Sequence, residues 1–132
     1  MVGLDKNFGH RPVMIFAYAD SAHAAQCGRY FRRLGWEVHL VASAAEARRL
    51  AQKTNPRVMV LDTELPDESG WLACAKLTHE DPSRRVVLLA PERTPESLEN
   101  LAKINGAALV TRQDHLEVLA ETILGERLAE AV

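Results

Sequence analysis

Val58-Met59-Val60-Leu61-Asp62-Thr63-Glu64-Leu65-Pro66-Asp67-Glu68-Ser69-Gly70 is the stretch on which the fold turns. Four apolar residues run directly into an aspartate, and a turn of Pro, Asp, Glu, Ser and Gly leads into a helix-like segment. A short apolar run bounded by turn residues reads as a strand buried on both faces, the kind found in parallel sheets. In open parallel sheets, chemistry and ligands collect at the carboxyl ends of the strands. Asp62 is therefore a candidate site on position alone.

Working outward, Val13 to Ala19 is a second apolar run, preceded by Pro12 and ended by Asp20. A proline at a strand start loses no ladder hydrogen bond. From Ser21 to Leu34 the period changes. Ala24, Cys27, Phe31 and Leu34 share one face of an amphipathic helix, and Gly35 stands where a left-handed cap belongs. Trp36 to Val41 alternates as a strand. Ser43 and Glu46 have capping-box spacing, and Ala44, Ala47, Leu50 and Ala51 form the buried face of the helix they open. Asn55-Pro56 ends that helix.

Beyond Asp62, a helix over roughly Gly70 to His79 is expected to bury Trp71, Cys74 and Ala75, followed by a turn at Asp81-Pro82. Val86 to Ala90 is a second doubly buried strand. Thr94-Pro95-Glu96 predicts a helix start with Thr94 as N-cap, and Leu98, Leu101, Ala102 and Ile104 as the buried face. Asn105-Gly106 is a turn, and Ala107 to Thr111 a last short strand. A final helix from about Gln113 buries Leu116, Leu119, Ala120 and Ile123 and continues past Gly125. Five strands alternating with five helices predict an α/β domain: a parallel sheet, three-layered and doubly wound, with right-handed crossovers.

The 132 residues suit one domain, expected over residues 12–132 behind a loose N-terminal lead of residues 1–11. A formal net charge of -2 favours neither nucleic acid nor an anionic membrane as partner. Cys27 and Cys74 lack metal-ligand spacing and suit a reducing, cytoplasmic setting. No apolar run approaches the ~20 residues of a membrane helix. The five histidines (His10, His23, His39, His79, His115) are scattered and read as surface or partly buried side chains rather than ligands.

Asp62-x-x-Leu65-Pro66-x-x-Ser69-Gly70, the spacing from Asp20 to Gly35, and Gly106-Ala107 before the last strand together resemble the receiver domain of two-component response regulators. The similarity spans roughly Pro12 to Leu124. It implies a flavodoxin-like sheet of order 2-1-3-4-5 and a role in phosphorelay signalling with Asp62 as phospho-acceptor. It also implies a magnesium ion held by an acidic pair after the first strand, by the acceptor, and by the carbonyl of Glu64. A Thr or Ser ending the fourth strand, a Lys ending the fifth and an aromatic switch residue on the fifth complete the family's pattern.

This chain departs from that pattern. The acidic pair falls on Tyr18 and Ala19, so Asp20 and Asp62 are the remaining carboxylates and Mg²⁺ is expected to bind weakly. The hydroxyl position falls on Ala90 and the aromatic one near Leu109. For the lysine, Arg112 is the nearest cation, while Gln113 takes the position if no gap is allowed. Without a following proline the bond after it is expected to be trans. Arg112 is a candidate partner for Asp62 or a phosphate, although its planar fork differs from an ammonium. Asp20 has two readings, residual metal ligand or N-cap of the first helix.

The expectation is a stand-alone, non-enzymatic receiver-like protein with an eroded metal and switch site. A histidine kinase or phosphotransfer protein would be its donor, and an effector protein would contact the Thr94 to Leu124 face. The alternative within the class is a phosphorylation-independent pseudo-receiver, a protein–protein interaction module with Asp62 locked by Arg112. A different class is a small-molecule binder or enzyme on a flavodoxin-like fold. Asp20-Ser21-Ala22-His23 stands where a Gly-rich phosphate loop would be, and no nucleophile–base pair is visible.

Overall fold

A computed structural model of the chain describes residues 11–112, 114 and 116–124. Most of the expected N-terminal lead, the continuation past Gly125, Gln113, His10 and His115 lie outside the described residues. The elements follow in strict alternation: β1 (Val13–Ala17), α1 (Ser21–Arg33), β2 (Glu37–Val41), α2 (Ala44–Thr54), β3 (Val58–Asp62), α3 (Gly70–Glu80), β4 (Val86–Ala90), α4 (Glu96–Ile104), β5 (Ala107–Thr111) and α5 (Leu116–Leu124). The five strands form one parallel sheet in the order β2-β1-β3-β4-β5, the flavodoxin-like arrangement.

All five residues of both β3 and β4 are buried, as a central strand covered on two faces requires. Side-chain alternation splits the core into two layers. Ile15, Met59, Leu61, Leu88, Ala73, Cys74 and Leu77 pack on one face. Met14, Phe16, Val58, Val60, Leu89, Phe31 and Leu119 pack on the other. Gly35 takes φ +98° beyond α1, and Asn55 takes φ 52° at the end of α2; both are left-handed closures of helices.

The structure corrects five local expectations. Leu34 does not join Ala24, Cys27 and Phe31 on the packed face of α1; it is the C-cap and stands 54% exposed, because the helix ends at Arg33. Thr94 is not the cap of α4. Pro95 occupies the N-cap in extended backbone (φ -63°, ψ 155°) and has no side-chain donor or acceptor to offer, so the first turn closes on its carbonyl through Leu98 N–H at 3.0 Å. The face of α3 is Gly70, Ala73, Cys74 and Leu77; Trp71 is only half-buried and Ala75 is exposed. That i, i+3, i+4, i+7 stripe lets small residues bring the helix close to the sheet.

On α4 only Ala102 is fully buried, while Leu101 and Ile104 are 43% and 80% exposed. At 100° per residue, Ile104 falls about 140° from the axis set by Leu98 and Ala102, so it cannot share their face. Finally, the capping box is shifted. Ser43 Oγ accepts from Glu46 N–H at 3.1 Å, but the Glu46 carboxylate takes the N–H of Ala42, not of Ser43, at 3.3 Å.

Candidate functional site

Asp62 is the last residue of β3 and is 2% exposed. Its Oδ2 accepts the backbone N–H of Ala19 at 2.5 Å. Its Oδ1 is buried and, among the described residues, accepts no hydrogen bond. Among the described residues the cation beside that oxygen is Arg112, whose Nε lies 3.9 Å away, too far for a hydrogen bond but close enough for strong attraction.

Arg112 comes from the loop leaving β5. Its backbone N–H bonds the carbonyl of Ala90 at 2.9 Å, which extends the β4–β5 ladder by one step and anchors the residue at the carboxyl edge of the sheet. Alternation along β5 points Arg112 to the same side as Val110, and alternation along β3 points Asp62 to the same side as Val60, so both face the α1/α5 layer. The guanidinium therefore reaches across β4. Its Nη1 ends 3.5 Å from Oδ2 of Asp20.

Asp20 fills the role of helix cap. Its Oδ1 accepts the N–H of His23 at 3.1 Å at the start of α1, leaving Oδ2 for Arg112. Glu64 is exposed, and its backbone pairs with Ser69 in a short antiparallel bridge that shapes the loop after β3. Of the positions that the resemblance assigns to an acidic pair, Tyr18 packs half-buried against the α1/α5 layer and Ala19 contributes its N–H. Ala90 closes β4 with a methyl group and, with Thr63, Glu64 and Trp71, lines a cavity of about 290 Å³ on the other side of the sheet edge. Leu109 is half-buried against the α2–α4 layer. Among the described residues no peptide bond is cis.

The structure adds three contributors, two of them, His23 and Asp67, given no role by the sequence reading. His23 sits half-buried one turn into α1, where its ring lies edge-on to Phe16 at 6.3 Å between centroids. With Asp20, Gln26, Arg29, Pro91 and Arg112 it lines an open cavity of about 670 Å³ beside Asp62. Asp67, in the loop after β3, accepts the N–H groups of Ala44 and Ala45 at 2.9 and 3.0 Å and so caps α2 from 22 and 23 residues away. Gly70 lies against the Asp62 backbone with no room for a side chain. Only Gly70 carried a signal, its place in the Pro66-x-x-Ser69-Gly70 turn.

Burial dominates the electrostatics. It raises the Asp62 carboxyl above its ordinary 3.8, against the opposing pull of the Ala19 N–H, Arg112 and His23. Burial likewise lowers His23 below 6.5, although Asp62 pulls the other way. The N–H of His23 holds Asp20 below 3.8. The Cys27 thiol, buried and in the field of Asp62, is pushed up to about 12.

The oxygen donors Asp20, Asp62 and the Glu64 carbonyl are of the type magnesium takes. Their arrangement does not fit a divalent ion, because a guanidinium already stands 3.5 and 3.9 Å from the carboxylate oxygens that would hold it. Among the described residues, no three His, Cys, Asp or Glu side chains gather to hold a metal.

Solved structures similar to this chain include a CheY-like receiver domain protein from Methanospirillum hungatei, with TM-score 0.79 and 21% identity over 91% of this chain and 95% of the other. The CheX–CheY–BeF₃–Mg complex from Borrelia burgdorferi gives TM-score 0.81 and 16% identity over 91% and 92%. A response regulator from Burkholderia pseudomallei with a phosphorylated aspartic acid, calcium ion and citrate gives 0.77 and 19% over 91% and 71%. Among curated proteins, the probable transcriptional regulatory protein TcrX of Mycobacterium tuberculosis is 31% identical over 87 residues, 65% of this chain but 37% of the relative. The chain thus spans little more than a third of that relative's length. Since the family model for the response regulator receiver domain matches residues 19–124, from the start of the Asp20 turn to the end of α5, this chain belongs to that family.

Proposed function

We propose that this receiver domain acts in phosphorelay signalling through protein–protein contacts, with Asp62 at the phospho-acceptor position and with little phosphorylation-driven switching. Receiver domains are signalling modules, generally non-enzymatic. The observation that carries the reading is Ala90. A methyl at the end of β4 cannot hydrogen-bond a phosphoryl oxygen on Asp62. The β4–α4 loop then gains no contact specific to the phosphorylated state. A modification that does not discriminate between two conformations cannot shift their populations.

Two further observations support the reading. Arg112 already partners Asp62, so the acidic site holds a cation without phosphate. The Thr94 to Leu124 face presents Leu101, Ile104 and Val118 to solvent, apolar surface that suits an effector protein. The Burkholderia structure with its phosphorylated aspartic acid and the Borrelia complex with BeF₃ and Mg suit an acceptor role for Asp62. As in the receiver family, a histidine kinase or phosphotransfer protein would be the donor.

The test is incubation with a small phosphodonor and Mg²⁺, followed by intact mass and hydrogen exchange. The expected result is incomplete phosphorylation, or a single phosphoryl group with unchanged exchange across residues 94–124. A stoichiometric phosphoryl group that Asp62→Asn removes, accompanied by large exchange changes in that face, overturns the reading.

A further inference from the structure

We propose that Arg112 is the resident cation of the acidic site and that its guanidinium takes the place of a divalent metal, excluding one from Asp62 and Asp20. This deepens the functional reading of the same site, but it rests on the placement of Arg112 and not on Ala90.

Asp62 Oδ1 is a buried carboxylate oxygen with no hydrogen-bond donor among the described residues. A charge so placed needs a counter-charge nearby. Oδ2 has the Ala19 N–H, a dipole and not a charge. Asp20, the second carboxylate at this edge, spends Oδ1 on the α1 cap, which leaves Oδ2 for a cation. The guanidinium of Arg112 spans the gap between them, with Nη1 3.5 Å from Asp20 and Nε 3.9 Å from Asp62.

Both contacts are longer than direct hydrogen bonds, so Arg112 acts here as a centrally placed positive charge and not as a bidentate clamp. Its position is built into the fold, because the bond from its own N–H to the Ala90 carbonyl fixes where the side chain begins.

A divalent ion entering between the same two carboxylates meets a positive charge within about 4 Å, held beside the buried Asp62. To bind, it must expel Arg112 and strip the carboxylates of their present partner. Removing the guanidinium while keeping both carboxylates should therefore create metal affinity that the native chain lacks.

The experiment needs no phosphodonor, so it is independent of whether phosphorylation switches the domain. Mn²⁺ alone is titrated into the full chain and its Arg112→Met and Arg112→Gln variants, with free ion counted by electron paramagnetic resonance and folding checked by circular dichroism. Both variants should bind one Mn²⁺ at least about tenfold more tightly than the native chain, since a nearby positive charge has been removed. Adding Asp62→Asn to either variant should abolish the gain. Mn²⁺ binding by the folded variants that is no tighter than native, or a gain that survives Asp62→Asn, overturns the proposal.

Discussion

A Cβ placed on Gly70 would stand 2.2 Å from the carbonyl oxygen of Asp62 and 2.9 Å from the Cα of Thr63. Nothing with a side chain fits there. The start of α3 lies directly on the end of β3, and the N–H of Gly70 bonds the Thr63 carbonyl at 2.9 Å. The glycine of the signature turn is thus needed for close approach, since its φ is not in the left-handed region. Gly70→Ala replaces glycine with the best helix former, a change worth about 1 kcal/mol in favour of an isolated helix. It should nonetheless destabilise the protein by about 1–3 kcal/mol through overpacking against backbone that cannot yield. Urea unfolding measures this, and an unchanged or raised midpoint would contradict the packing argument.

Asp62 should make the folded state less stable as its charge develops. Its carboxyl is raised above 3.8 in the fold because burial outweighs its favourable contacts. For an acid raised on folding, the native state holds the proton more tightly than the unfolded chain. The contribution is destabilising above the folded value, fades as pH falls, and vanishes below 3.8. Asp62→Asn, which keeps an acceptor for the Ala19 N–H, should therefore melt at a higher temperature than the native chain at pH 7. The gap should close as the pH is brought toward 3.8 and below. A gap that widens on acidification would reverse the sign of the argument.

Asp67 tests the cross-loop cap. Its two oxygens serve Ala44 and Ala45, whereas Ser43 serves Glu46, so three N–H groups at the start of α2 have separate acceptors. Asp67→Ala should cost about 1 kcal/mol, the usual worth of an N-cap, and Ser43→Ala a similar amount. The Asp67 carboxyl is held below 3.8 by the Ala44 N–H first, so its contribution is complete above 3.8 and is lost as pH falls through the lowered value. Chemical denaturation of both single variants at pH 7 and pH 3 would show this. A pH-independent cost for Asp67→Ala would mean that the carboxylate is not the capping group.

The cysteines should be inert in the native state. Both are buried, and the Cys27 thiol, pushed up to about 12, has almost no thiolate near pH 8. The thiolate fraction alone predicts labelling slowed on the order of a thousandfold relative to the unfolded chain, before any protection from burial. Timed reaction with a chromogenic disulfide reagent, with and without denaturant, reads this. Fast labelling of native Cys27 would show that α1 opens readily or that His23, whose ring nitrogens lie 3.7 and 3.8 Å from the sulfur, activates it.

Much of the architecture is written in local patterns. The apolar runs of β3 and β4 and the cap at Gly35 each depend on residues within one or two turns of one another. Hydrophobic period reports how many faces an element buries, and cap residues report where it stops. The same signals misled where packing overrode them. Leu101 and Ile104 on α4 are apolar yet exposed, because Leu98 and Ala102 set the face that meets the sheet. Thr94 has the chemistry of a cap but stands one residue too early.

The site itself is long-range, and the period of a helix or strand carries no information about it. Ala19 N–H meets Asp62 across 43 residues, and Asp67 meets α2 across 22 and 23. Arg112 meets both Asp20 and Asp62 from the far side of β4. The one-dimensional pattern places an aspartate at a strand end and a candidate cation after the last strand. The strand order β2-β1-β3-β4-β5 and the pleat alternation bring those ends to one edge and one side. The counter-charge of Asp62 is settled there, because Coulomb attraction depends on distance through space and not on separation along the chain.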